Sequence, residues 1–263
     1  MLQKTIRKSS EYKGIGILFG KESKITLRPA PPDSGIIFNE TVKVKVRNAF
    51  INNHSLGLSN GKIKIYLVEH LLAACSGLGL NDLFIDVRGK EIPFGDGSSL
   101  PLVKLMKSAG LKSYKEKSNY YFLKMPIIVS ENDSFILALP GKNLSINCYV
   151  DFPQSRIGAQ FWGGPINPTT ILKELAPART FGAFRNDRLL KKILPFKLTM
   201  ENGLIFPAML RYHNEAVRHK VLDLLGHLKL LNYWFNAKIF AFKPSHKLNQ
   251  KFVRRLETIY ENR

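Results

Sequence analysis

Within the stretch Arg211 to His227 an imidazole and a carboxylate, His219 and Asp223, stand four residues apart in a pattern of helical apolar spacing. On a helix that interval puts both on one face, about 6 Å apart along the axis, where they can close on one metal ion. His227 continues the stripe, but its backbone falls about 12 Å from that of His219, so it is expected beside such a centre rather than as a ligand. An isolated His-x-x-x-Asp is more commonly a surface ion pair. What shifts the balance is Glu69-His70, placed directly before the apolar run Leu71-Leu72-Ala73-Ala74-Cys75, where two polar residues need partners. His70 as a third ligand, with Glu69 as an adjacent base, accounts for both. Three protein ligands leave a catalytic zinc one position for water, whose pKa the ion lowers to about 7.

The elements that must carry these residues are a mixture of short strands and helices. Ile25–Pro29, Gly35–Phe38, Val42–Val46 and Leu83–Val87 read as strands separated by turn formers. Helical spacing runs from Leu67 to Ser76 with Gly77 as its cap. A second helix is expected over Leu100–Ser108, with Ser98 or Ser99 as N-cap, Pro101 in its first turn and Gly110 closing it. The lysine-rich, aperiodic stretch Leu111–Asn119 is the best linker, which divides the chain into residues 1–113 and 119–263. The second part begins again with strands, Tyr121–Met125, Ser134–Leu139 and Leu144–Phe152, and passes into helices around Asn214–Leu231 and Asn249–Glu261. The echo of Val68-Glu69-His70-Leu71-Leu72 in Val217-Arg218-His219-Lys220-Val221 suggests a duplicated architecture. The fold class expected is α+β: two similar domains, each a mostly antiparallel sheet layered with helices, with the active site between them.

A chain of 263 residues with 44% hydrophobic residues can bury a real core, which excludes a disordered protein. No apolar run is long enough for a spanning helix and the N-terminus lacks a signal-peptide core, so a cytoplasmic protein is expected. With only Cys75 and Cys148, any metal must be held by His and carboxylates. Forty Lys and Arg against twenty Asp and Glu give a net charge of +20. Such a surface attracts polyanions, including anionic membrane surfaces and pyrophosphate groups. The lysines are nevertheless scattered rather than gathered in an arm, which fits a compositional bias and predicts no specific nucleic-acid partner.

The chain resembles the UDP-3-O-acyl-N-acetylglucosamine deacetylases of lipid A synthesis. The resemblance runs through Gln3-Lys4-Thr5-Ile6, Thr26-Leu27-Arg28-Pro29-Ala30-Pro31, Val68-Glu69-His70-Leu71-Leu72-Ala73-Ala74, Asp96-Gly97-Ser98, Ala178-Arg179-Thr180-Phe181-Gly182, Val217-Arg218-His219-Lys220 and His246-Lys247-Leu248-Asn249. It implies zinc on His70, His219 and Asp223, with ferrous iron also suited to such a site. It implies Glu69 as general base and His246 as general acid or cationic stabiliser. Thr180 and Lys220 would meet the oxyanion or carbonyl, and Lys220 and Lys243 the substrate's phosphates. The implied partner is an acylated UDP-sugar, with a monomer expected and a peripheral contact with an anionic membrane surface allowed by the charge. The fatty chain would occupy a passage in the second domain, for which Leu189–Phe196 is one candidate wall; an ordinary amphipathic helix is the competing reading of that stretch.

The sequence departs from the family pattern at four places. His227 stands where the family has an Asp that bonds the catalytic histidine, which reverses the sign of that influence. Leu18 replaces a histidine, Leu67 a small hydroxyl residue, and Phe196-Lys197 a glycine pair. The leading expectation is a zinc-dependent amidohydrolase. The alternative is a weakened family member acting as a basic binder of nucleic acid or membrane surface. An unrelated zinc peptidase would need a His-Glu-x-x-His signature that is absent.

Overall fold

The computed structural model describes residues 1–52, 54–153, 155, 157–182, 198–201, 204–207 and 209–261. Its architecture is α+β, built on two five-strand paths of the same topology. In the first, the strands run in the order Ser10–Ile15, Glu22–Pro29, Leu83–Arg88, Ile36–Phe38, Val42–Lys43. In the second the order is Ile127–Glu131, Ser134–Pro140, Trp234–Phe242, Ser145–Phe152, Gly158–Pro165. In each, the last strand in sequence inserts at the centre, antiparallel to the second strand and parallel to the third. A helix precedes and another follows that central strand: α1 (Glu69–Leu78) and α2 (Leu100–Ser108) in the first half, α3 (Glu215–Leu228) and α4 (His246–Glu261) in the second. The histidine motifs at 70 and 219 therefore sit on equivalent helices. The duplication that a five-residue echo only suggested is a property of the topology.

Two expectations are corrected. Leu111–Lys117, read as a linker, is a strand paired antiparallel with Leu2–Ile6. Its polar composition reflects exposure: only one neighbour holds it, and backbone pairing does not require apolar side chains. α1 ends not at Gly77 but at Gly79, whose φ of 69° supplies the left-handed cap. Gly77 lies inside the helix, at a point where a Cβ would come within 2.7 Å of the Ile171 side chain. The remaining expected strands and helices are present within a few residues. α4 starts at His246, three residues before the expected Asn249. Strands at Ala49–Asn52, Ser55–Ser59 and Lys64–Tyr66 form a separate antiparallel meander that precedes α1.

α1 is buried along its whole length and packs against α3. The approach is close enough that a Cβ on Gly226 would stand 2.5 Å from the carbonyl oxygen of Glu69. A helix-interior glycine costs about 1 kcal/mol relative to alanine. Here it lets the backbones touch where α1 presents its first turn, bringing residues 69 and 70 to the face that carries 219 and 223. No helix of the described residues is long and apolar enough to cross a membrane.

Candidate metal centre and active site

α3 holds His219 and Asp223 one turn apart, with Nε2 of His219 3.4 Å from Oδ1 of Asp223. Nε2 of His70, from α1, lies 3.8 Å from the same oxygen. Donor atoms of all three residues fall within 4.8 Å of one another and all three side chains are buried. The two imidazole rings meet edge to face, 4.9 Å between centroids. Oδ1 of Asp223 is buried and has no hydrogen-bond donor among the described residues. An orphaned carboxylate oxygen between two imidazoles is a costly arrangement that a cation resolves.

The protonation pattern suits that role. Nδ1–H of His219 donates to the carbonyl of Ala178 at 3.1 Å, which leaves Nε2 as a lone pair facing Asp223. Burial pushes both His70 and His219 down to about 4, so both rings are neutral at ordinary pH. Burial also raises Asp223 and, reinforced by Asp223, holds Glu69 well above the usual carboxylate range. A bound cation reverses that push. Oε2 of Glu69 accepts the backbone N–H of Leu56 at 3.1 Å, which orients the carboxylate from the preceding meander. Leu67, two residues before Glu69, has a φ of 62°, a left-handed conformation held by burial at the start of the α1 turn.

On the other oxygen of Asp223, Oδ2, Nε2 of His246 approaches to 3.4 Å and Nζ of Lys220 to 3.8 Å. Lys220 also lies over the ring of Phe181 at 5.7 Å. His227, placed by spacing beside the centre, touches His246: its Nε2 is 3.1 Å from Nδ1 of that residue. Burial pushes His227 down to about 3, against an opposing influence of Gln250. His246 is driven well below 6.5 by burial, then Lys220 and then His227.

Thr180 is held by its N–H donating to Gly97 at 2.8 Å, in the loop that also carries the carbonyl of Ala178. Lys243 has a φ of 48° and an ion pair with Asp133 at 2.9 Å, which lifts its pKa; its ammonium faces that partner at the sheet rim. The candidate passage wall Leu189–Phe196 and the Phe196-Lys197 replacement lie outside the described residues.

Sequence reasoning gave no role to the staple that shapes this region. Glu215, in the first turn of α3, accepts from Nε and the backbone N–H of Arg179 at 2.8 and 2.9 Å and from the backbone N–H of Arg211 at 2.7 Å. Arg211 in turn reaches Asp96 at 2.7 Å. The only sequence signal was an acidic residue at a helix start, which ordinarily reads as a dipole partner. A cavity of about 310 Å³ is lined by Ile157, Phe181, Leu210 and Ala216 together with polar groups that include Arg179, His213 and Glu215, and its Phe181 ring meets His219 edge to face, 6.3 Å between centroids.

Comparison with known proteins finds one family along nearly the whole chain. The family model described as LpxC, UDP-3-O-acyl N-acetylglycosamine deacetylase, matches residues 3–258. The chain is similar to a UDP-3-O-acyl-N-acetylglucosamine deacetylase of Chlamydia pneumoniae, 33% identical over 274 residues, covering 97% of this chain and 96% of the relative. A protein of the same name from Bdellovibrio bacteriovorus is 32% identical over 270 residues, covering 97% and 89%. Another from Syntrophotalea carbinolica is 31% identical over 269 residues, covering 97% and 87%.

Proposed function

The chain belongs to the LpxC family of UDP-3-O-acyl N-acetylglycosamine deacetylases, and from that premise we propose that it hydrolyses the acetamide of an acylated UDP-N-acetylglucosamine. The products are the free amine and acetate. The observation that carries this reading is the convergence of His70, His219 and Asp223 within 4.8 Å, with Glu69 beside them. We take the three as ligands of zinc, with ferrous iron as the other ion suited to two imidazoles and a carboxylate. When bound, such an ion supplies Lewis-acid polarisation of the carbonyl and lowers the pKa of water.

The chain's own groups supply the rest. Glu69, fixed by the N–H of Leu56, accepts the proton of the attacking water. His246, on the Oδ2 side of Asp223, is assigned the proton for the departing nitrogen; burial keeps its ring neutral in the free protein, and the negative charge of bound substrate is what would let it carry that proton, so the two proton transfers fall to groups on different helices. Thr180 and Lys220 are assigned to the developing oxyanion, where donors already in position need no reorganisation. Lys220 and Lys243 are assigned to the diphosphate, which requires Lys243 to exchange its pair with Asp133 for substrate. The cavity beside Phe181, of mixed lining, is assigned to the acyl chain on the strength of its apolar members Ile157, Phe161, Phe181 and Leu210.

The test is acetate release from UDP-3-O-acyl-N-acetylglucosamine by the purified protein, with and without a chelator. Release that stops with chelator and returns with zinc supports the reading; no release with zinc present overturns it. The other reading, a weakened basic binder, rests on the +20 charge, and no observation at the site favours it.

A further inference from the structure

Among the described residues, helices cover the second sheet on one face only. α3 packs on strands 145–152 and 158–165, and α4 on strands 127–131 and 134–140. Residues pointing that way, such as Ile136, Ile146 and Ile239, are fully buried. No described helix covers the opposite face, yet it is apolar. The strand register sets Phe135, Phe242, Tyr149 and Phe161 side by side across four strands. Phe135 and Tyr149 stack on either side of Phe242, at 5.5 and 5.2 Å between centroids. A second row joins Ile128, Leu137 and Phe240. The neighbouring strand Tyr120–Phe122 adds Phe122 on the same side, since Tyr121, its alternate, pairs inward with Phe235.

These residues are open to solvent: Ile128 is 63% exposed, Phe161 57%, Phe122 53% and Phe240 38%. Single exposed apolar residues are ordinary, but contiguous rows across a sheet mark an interaction surface. The charges around the rows indicate what kind. Lys124, Lys142 and Lys238 are exposed on or beside this face, and none has an acidic partner among the described residues. The acidic groups, Asp133 and Asp151, stand at one rim, and Asp133 already pairs with Lys243. A second copy of a chain of charge +20 would bring Lys238 against Lys238-bearing sheet, with no carboxylate at the centre to offset it. An anionic lipid surface satisfies both components: side chains with apolar bodies enter the headgroup boundary while lysines at the margin reach the phosphates.

We infer that the open face of the second sheet is a docking surface for an anionic membrane. It adjoins the site already described, because Lys243 lies over the Phe242 ring at 5.3 Å and α4 begins three residues later with His246. The inference rests on this surface and not on the reaction proposed above. The two fail separately if binding and acetate release are measured on the same preparations.

The experiment is co-sedimentation of the full chain with phosphatidylcholine vesicles, with and without phosphatidylglycerol. It is paired with sedimentation velocity in the absence of lipid. Binding is expected only with phosphatidylglycerol. It should weaken at least about tenfold in the triple variant Phe122→Ser, Ile128→Ser, Phe240→Ser, which leaves the charge unchanged. Lys124→Gln with Lys238→Gln should weaken it similarly, whereas Lys62→Gln with Lys64→Gln, an equal charge loss on the other half, should not. Should the triple variant fail to fold, Ile128→Ser alone, on the edge strand, must still weaken binding measurably. Undiminished binding by the serine variants, or equal losses in both lysine pairs, would show nonspecific attraction and overturn the proposal. So would a concentration-dependent dimer that the serine variants abolish without any vesicle binding.

Discussion

Oδ2 of Asp223 lies 3.4 Å from Nε2 of His246, while Oδ1 of the same carboxylate faces His219 and His70. One side chain thus joins the proposed ligand cluster to the proposed proton donor. Asp223→Asn keeps the shape and removes the charge from both contacts. It should lower zinc retention after dialysis at least 100-fold and acetate release with it. Normal metal content with lost activity would instead assign Asp223 to the proton transfer alone.

Glu69→Gln separates base from ligand. The amide can still accept the N–H of Leu56, so the α1 turn should stay folded. The expectation is a kcat lower by about 10² to 10⁴ with stoichiometric metal unchanged. Metal loss in this variant would make Glu69 a ligand.

The contact between His227 and His246 sets a pH prediction. The neighbouring imidazole is one of the influences that hold His246 low. His227→Asp puts a carboxylate against Nδ1, which favours the charged form of His246. The alkaline limb of kcat/KM, where the proton donor is lost, should move to higher pH by about one unit or more. An unmoved limb would remove His227 from control of that group.

Stability without metal should also follow pH. His70 and His219 sit at about 4 and His227 at about 3, against about 6.5 in the unfolded chain. Between those values the unfolded chain binds more protons, so native stability drains away as pH falls from about 6.5 towards 4. Asp82, raised by burial to about 6, acts in the opposite sense, since its contribution is lost as pH rises. Glu69, Asp223 and Glu91, likewise raised by burial, act in that same opposing sense, so the histidine contribution is read by difference. Between about pH 7 and about pH 5 the chelated parent should lose roughly 2 °C or more of Tm beyond what chelated His227→Gln loses. Equal losses in the two proteins contradict the assignment of a buried neutral His227.

The Arg179–Glu215 pair is buried and joins two loops to the start of α3. Glu215→Ala leaves the guanidinium without its carboxylate, a change that costs about 3 to 5 kcal/mol. Calorimetry should find a Tm lower by roughly 10 °C. Activity should fall further than stability explains, because the loop holding Ala178 and Thr180 loses its anchor. A Tm within a degree or two of the parent would show the pair to be dispensable.

Local interactions are what the sequence by itself determined. The four-residue interval of His219 and Asp223, the helix over Leu100–Ser108 and the strands with clear alternation depend on neighbours a turn or a pleat away, and those distances are written in the chain. Glu69-His70 was legible as two polar residues needing partners, and a shared centre with His219 and Asp223 was the partner expected for them, but the packing that brings the two helices together was not. Their meeting with α3 depends on a helix contact that Gly226 permits and on a strand order that repeats across the two halves. Likewise, His227 could be placed beside the centre, but not against His246, which arrives from another helix. The open sheet face was hidden for a related reason: Ser134–Pro140 and Trp234–Phe242 carry apolar residues on both sides, the pattern of a strand buried twice. Only the tertiary structure decided that the described helices cover one side and leave the apolar residues of the other exposed, because burial belongs to the packing of distant segments and not to the strand itself.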